Sequence, residues 1–305
     1  MLRISNGKKV NKERIAFICC FCIPPVIAWL VFYVYANLSS FGMAFTDKNG
    51  ALTLENFVRF WQELTTRDSE IWIALKNTFL SFAIMLVQFP FQVLVSYFIY
   101  KKVPGAGMFR FLFMLPGMIF SVALTMSLQR MLGVNGFISK WLQDALNLSY
   151  RPEILTDSRF ANATVLLHMI WMAFPGDLII WGGTFSRIPE ELLEAGRMDG
   201  TNWWKEFIHI IVPVVWPTVG LKMVLLFCGI FGAGGSVFLL TQGKYGTQTL
   251  ANWMYMQVYG VSGGTSSSNV FNYMSAVGMV ISVIAIVMSR MIRRWSDKVF
   301  DEVEF

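Results

Sequence analysis

The sequence predicts an all-α integral membrane protein: six transmembrane helices, with a cytoplasmic helix-turn-helix between the fourth and fifth. Three observations lead there. Hydrophobic residues make up 55% of the chain and charged residues 14%, with a mean hydropathy of +0.53, whereas soluble domains carry about a quarter charged residues. Charge disappears over stretches long enough to cross a bilayer, which takes about 20 mostly apolar residues. The charge that remains is concentrated, most sharply in "EELLEAGRMDG" (Glu190–Gly200), where four acids sit in eleven residues.

The spans follow from the charge map. No charged residue lies between Arg14 and Asp47, Lys76 and Lys101, Arg110 and Arg130, Lys222 and Lys244, or Lys244 and Arg290, and Asp177 alone lies between Arg159 and Arg187. Spans are therefore expected at about 15–38, 77–100, 111–129, 161–186, 213–240 and 270–289. Residues 1–14 form an N-terminal segment, 15–289 the membrane domain with a loop at 187–212, and 290–305 a tail. The first span follows a basic start, as a signal sequence does. Its apolar run is longer than a signal core, and no small-residue cleavage site follows, so it reads as an anchor.

Orientation follows the Lys and Arg bias. Arg3, Lys8, Lys9, Lys12 and Arg14 precede the first span, Lys101, Lys102 and Arg110 follow the second, and Arg290, Arg293 and Arg294 follow the sixth. These segments share one side, so both termini are expected in the cytoplasm. The net charge of +6 is thus a topology signal and points to no nucleic acid. Cys19, Cys20, Cys22 and Cys228 lie in apolar runs without metal or disulfide spacing, so no metal site is expected. Between the third and fourth spans, Phe137, Trp141, Leu142 and Leu146 give a partial apolar helical face. An interfacial helix fits, as does one packed on the outer span ends.

The acidic segment alternates sides into the cytoplasm. Pro189 suits a first helical turn, and Glu190 and Glu191 follow at the positive end of the helix dipole. Asp199-Gly200 is a turn signal, Thr201 can cap a second helix, and that helix is expected to end before Pro213. Leu192, Leu193, Trp203, Trp204 and Phe207 are more apolar than a solvated loop needs, so the projection reads as a docking knob for a cytoplasmic partner.

"EAGRMDGTNWWKEFIHIIVP" (Glu194–Pro213) resembles the EAA loop of ATP-binding-cassette importer permeases. Glu194-Ala195-Gly196 stands for the Glu-Ala-Ala triplet and Gly200 for the spaced glycine; nine residues later come Ile210 and the closing Val212-Pro213. Gly replaces the second Ala and Val replaces Leu. "LTLENFVRF", "LKNTF", "FRFLFMLPGMI" and "TQTLANWMYMQVY" are similar to segments of the carbohydrate-type permeases, and "CIPPVIAWL" is closer to the first permease of such pairs.

The resemblance implies that Glu194, Ala195, Gly196, Asp199, Gly200, Ile210 and Pro213 form an ATPase-coupling loop whose short helix enters a groove on an ATPase subunit. It implies as partners a cytoplasmic ATPase dimer holding ATP and Mg, a second permease subunit of different sequence, an extracytoplasmic solute-binding protein and membrane lipid. It implies a multi-pass protein of a bacterial or archaeal cytoplasmic membrane that carries a sugar or oligosaccharide. The chain itself needs no cofactor and has no catalytic residue. No phosphate-binding G-x-x-x-x-G-K-[ST] loop occurs, and "VSGGTSSSN" (Val261–Asn269) falls on the outer side.

Polar residues inside the spans are the candidate solute path: Asn77, Gln88, Gln92, Gln129, Asp177 and Trp181. A charge at the bilayer centre costs about 2.5–3.5 kcal/mol on insertion scales, so Asp177 is expected to face water or protein. It could accept solute hydroxyls or pair with a neighbouring helix. Lys222 is expected to snorkel to the cytoplasmic edge or else to reach the path, His168 to be a hydrogen-bonded structural residue, and His209 to cap a carbonyl. "CGIFGAGGS" (Cys228–Ser236) suits close helix packing more than a gate bend, its other reading. A proton-coupled secondary transporter using Asp177 and His168, an integral-membrane enzyme, and the same importer serving another solute class are the competing readings. The first two leave the Glu194–Pro213 spacing unexplained.

Overall fold

The computed structural model describes residues 12–66, 69–260 and 268–299. The basic start at Arg3, Lys8 and Lys9, most of the Val261–Asn269 segment and the end of the tail lie outside the described residues. Those described form helices and a single isolated bridge, Thr46 to Leu52. Among the described residues, five helices are long and apolar enough to cross a membrane: Phe17–Ala44, Glu70–Tyr100, Ser158–Phe185, Trp203–Cys228 and Asn269–Val299. A sixth span exists if the bent pair Ala106–Met118 and Ser121–Ala145 counts as one.

The chain divides into two compact units, Met1–Trp61 with Thr265–Met279, and Gln62–Gly264 with Val280–Phe305. In the first, α1 (Lys12–Trp29) runs through a π-helical turn (Leu30–Tyr35) into α2 (Ala36–Ala44). The most apolar window of this span has no buried residue, so bilayer or another chain must cover it. A tight turn follows, with Gly50 at φ +79°. Asn56, in α3 (Glu55–Thr65), clamps it by donating to Ala44 O at 3.1 Å and Thr46 O at 3.2 Å, and Asn272 donates to Thr46 O at 2.8 Å.

The second unit is built on α4 (Glu70–Tyr100), α5 (Ala106–Met118) and α8 (Ser158–Phe185), which pack along one another. Gly117 makes the closest α5–α8 approach possible, because a Cβ there would collide with the Pro175 side chain. The third span, expected at about 111–129, is bent within that range. After Pro116-Gly117 the helix ends, Ile119 and Phe120 become extended, and α6 (Ser121–Leu132) leaves at 96°. Proline removes a donor and crowds the preceding turn, and glycine adds little helix propensity. The helix α7 (Phe137–Ala145) leaves Phe137 and Trp141 exposed, as is Leu146 just beyond it, which fits the interfacial reading.

The expected fifth span is displaced. Beyond the short helix α9 (Glu190–Met198), a continuous helix starts with α10 (Trp203–Glu206), passes a π-helical turn (Phe207–Ile211) and continues as α11 (Val212–Cys228). Pro213 was expected to follow a helix end, yet the helix runs through it. The wider π turn lies where a proline would clash with the carbonyl four residues back, and absorbs it. At the other end the span stops at Cys228. Gly229, Gly232 and Gly234 lie in the break before α12 (Gly235–Thr241), where close packing of one helix was favoured over a bend. Thr249 donates to Ala233 O in this break, and α13 (Leu250–Tyr259) packs beside Gly234.

The last helix, α14 (Ser268–Val299), meets α11 near its C-terminal end. Trp216 Nε1 donates to Ser296 O at 2.9 Å, and Gly220 faces the Ser296 side chain with no room for a Cβ. Replacing Gly220 by Val should lower stability by about 1–3 kcal/mol, as overpacking does. Thermal unfolding in detergent should show that loss, and Ser296→Gly in the same chain should return most of it.

A polar cavity between three spans and an acidic helical projection

Three of the six candidate path residues come together. Gln88 and Gln92 on α4 and Asp177 on α8 line a cavity of about 230 Å³ with Met85, Phe89, Ala173, Lys222, Leu225 and Leu226. The i, i+4 spacing puts the two glutamines on one face of α4. Gln88 Nε2 donates to Ile170 O at 2.7 Å, across to α8. Gln92 is 4% exposed, and its Nε2 has no hydrogen-bond partner among the described residues. A buried amide left unpaired is costly, so this group marks where a polar visitor gains most.

Of the two readings of Lys222, the structure has the side chain reach the cavity and not snorkel to the edge. Its Nζ forms an ion pair with Asp177 Oδ1, with the two side chains 20% and 17% exposed. The pair answers the cost of each charge with the other and leaves the cavity net neutral. The second reading of Asp177, pairing with a neighbouring helix, is therefore realised, while both groups still face the cavity. Sequence could not match two residues 45 positions apart; their isolation within apolar runs was the available signal.

The other candidates lie elsewhere. Asn77 donates to Gly246 O at 2.6 Å and Gln248 O at 2.9 Å and accepts from Asn162 Nδ2 at 3.0 Å. With the Leu250 N–H bond to Thr78 at 2.9 Å, it fastens the α12–α13 connection to α4. Gln129 donates to Leu240 O at 3.1 Å. Trp181 lies outside the cavity, 0% exposed, between Phe89 and Phe185, with Nε1 unpaired. Its size and aromaticity serve packing. His168 sits apart from the cavity, its Nε2 against Thr125 Oγ1 and its Nδ1 against Ser236 Oγ, each at 3.1 Å. Thr125 gives its own proton to Ser121 O, so it accepts from His168 Nε2.

The projection is two helices at a turn. Gly200 takes φ +70°, a conformation that glycine adopts without strain. Asn202, not Thr201, caps α10: its Oδ1 accepts from Lys205 N at 2.9 Å, while Thr201 Oγ1 donates to Gly196 O at 2.8 Å. His209 Nδ1 lies 3.2 Å from Lys205 O. Gly196 is a requirement of packing, since a Cβ there would stand 2.5 Å from Ile210 Cδ1. Of the apolar residues expected to face a partner, Leu193 and Phe207 are instead buried in the chain's own core with Tyr97 and Ile211. The exposed face of α9 is Glu190, Glu191, Glu194, Ala195, Arg197 and Met198, the last 89% exposed; Trp203 and Trp204 stay half exposed.

Glu206 was missed by sequence reasoning. It is 2% exposed, accepts from Tyr97 Oη at 3.0 Å and from Lys101 Nζ at 2.7 Å, and so ties α10 to the end of α4. Nothing local announces a partner more than 100 residues away.

No family model matches the chain. It is similar to a probable ABC transporter permease protein of Pyrococcus horikoshii, 26% identical over 92% of this chain and 96% of that one. It is also similar to the lactose transport system permease protein LacF of Rhizobium radiobacter, 23% identical over 93% of this chain and 91% of that one. Its fold matches a chain in the crystal structure of a bacterial alginate ABC transporter in complex with an alginate pentasaccharide-bound periplasmic protein. There the TM-score is 0.77 at 20% identity, covering 96% of this chain and 98% of the other.

The cavity yields a double-mutant test. Asp177→Ala should cost about 2–3 kcal/mol by stranding Lys222. Asp177→Ala with Lys222→Met should recover most of it in thermal unfolding, and additive losses would show that the pair is not coupled.

Proposed function

We propose, from the premise that the chain is an ABC-transporter permease of the carbohydrate type, that it is the transmembrane subunit of an ATP-driven importer for a sugar or oligosaccharide. The observation that carries the reading is the Glu194–Pro213 spacing together with its geometry. Gly196 seats Ile210, Gly200 makes the turn, and the acids of α9 with Met198 are left facing outward. A charged rim with an apolar tip suits insertion into a groove bearing basic side chains. Similarity over more than nine tenths of the chain to relatives that include a lactose permease supports the solute class.

In this reading α9 docks on an ATPase subunit, one of a cytoplasmic pair that binds ATP and Mg. A second permease subunit completes the path, and a solute-binding protein delivers from outside. The protein sits in a bacterial or archaeal cytoplasmic membrane with both termini in the cytoplasm. Movement of α9 passes through the Gly196–Ile210 contact into a helix continuous from Trp203 to Cys228. That helix carries both Ile210, against which α9 packs, and Lys222, which lines the cavity. The cavity offers the Gln92 amide, the Asp177 carboxylate and the Lys222 ammonium, donors and acceptors that fit hydroxyls. Its net neutrality suits an uncharged solute.

Purification from native membranes in mild detergent, followed by mass spectrometry, should find an ATPase and a second permease with the chain. Glu194→Lys with Gly200→Trp should reduce the recovered ATPase at least about tenfold. Recovery of the chain alone, with uptake following the proton gradient, would overturn the reading. Gln92→Ala should leave the complex intact and lower solute-stimulated uptake; unchanged uptake would remove the cavity from the path.

A further inference from the structure

We propose that the cleft where α4 ends, α5 begins and α8 ends holds one anionic phospholipid, its phosphate on Lys102, Arg110 and the first turn of α5. Two contiguous cavities of about 380 and 560 Å³ occupy this cleft and share Ile99, Tyr100, Arg110 and Gly182. No acid lines either one. The side chains of Lys102 and Arg110 form no ion pair or hydrogen bond among the described residues, so two cations face the space uncompensated.

The backbone adds to this charge. Gly105, at φ +84°, caps α5 without a side-chain bond. The Ala106 and Phe109 N–H groups bond to Val103 and Gly105 carbonyls, which leaves those of Gly107 and Met108 without a backbone acceptor. Free N–H groups at a helix N-terminus favour phosphate. An independent observation comes from α4. Ser96 lines the smaller cavity, is 3% exposed, and its Oγ has no partner, whereas a helical serine ordinarily bonds a carbonyl one turn back. A buried hydroxyl left unpaired beside a cavity calls for a ligand oxygen.

The cleft also selects the source of the phosphate. From the charged mouth it continues along Met114, Leu178 and Ile179, side chains of spanning helices. Ile179 is 63% exposed. A free phosphate would use only the mouth, whereas a phospholipid satisfies both ends. Gly182 admits a chain here, as nothing stands within 4 Å of where its Cβ would be.

The test uses the purified complex, incubated with equal amounts of phosphatidylglycerol and phosphatidylcholine and examined by native mass spectrometry. One phosphatidylglycerol should be retained in preference to phosphatidylcholine. Lys102→Gln with Arg110→Gln should lower that retention about tenfold or more, as loss of two basic contacts at a membrane surface would, while Arg110→Lys keeps most of it. Gly182→Leu, which improves helix propensity and changes no charge, should displace the lipid by filling the cleft. Equal retention of the two lipids, retention unchanged in the double variant, or displacement of phosphatidylglycerol by inorganic phosphate alone would each overturn the proposal.

Discussion

Inside a bilayer no water is available to a polar side chain, so each such group must find a partner in protein. That constraint organises the spans. Gln88 bonds the Ile170 carbonyl, Gln129 the Leu240 carbonyl, His168 bridges Thr125 and Ser236, and Asp177 takes Lys222. Every one of these contacts crosses between helices. Polar residues that look like candidate solute contacts therefore mostly set the register of α4, α6, α8, α11 and α12. Gln92, Ser96 and Trp181 depart from this, each with a buried side-chain atom left unpaired, and Gln92 and Ser96 do so beside cavities.

The same economy of partners shapes the acidic projection. Glu206 is buried under α10 and receives both Tyr97 and Lys101, so the projection is braced against α4 as well as joined to α11. Leu193, Phe207 and Ile211 close the space beneath it. What stays exposed is charged or terminal: the glutamates and Met198 of α9. These contacts hold the projection against the start of the span that follows. From Trp203 to Lys222 that span rises about 29 Å at 1.5 Å per residue, which is how a surface element and an intramembrane ion pair come to share one helix.

Departures from ideal helix geometry fall at prolines and glycines, each with a different result. Pro116-Gly117 precedes a 96° change of direction. Pro213 is absorbed by a π turn without ending the helix, and the glycines after Cys228 end it. Proline always removes one donor, but whether the chain bends, widens or breaks depends on what packs around it. Gly117 lies tight against Pro175, whereas Pro213 follows a turn anchored by Phe207 and Ile211 in the core.

Class, the approximate places of the spans and the acidic helix with its glycine turn could be read from the sequence alone, because bilayer solvation acts locally on every residue and charge-free length records it. The convergence of Gln88, Gln92 and Asp177 was legible only as a set of polar residues in apolar runs, and Asn77, Gln129 and Trp181 carried the same signal while serving packing and hydrogen bonding. Tertiary structure decided which was which. It paired Asp177 with Lys222, buried Glu206 and Leu193, bent the third span and moved the start of the fifth. These outcomes rest on contacts between residues far apart in the chain, and neither hydropathy nor spacing along one helix contains the identity of a partner on another.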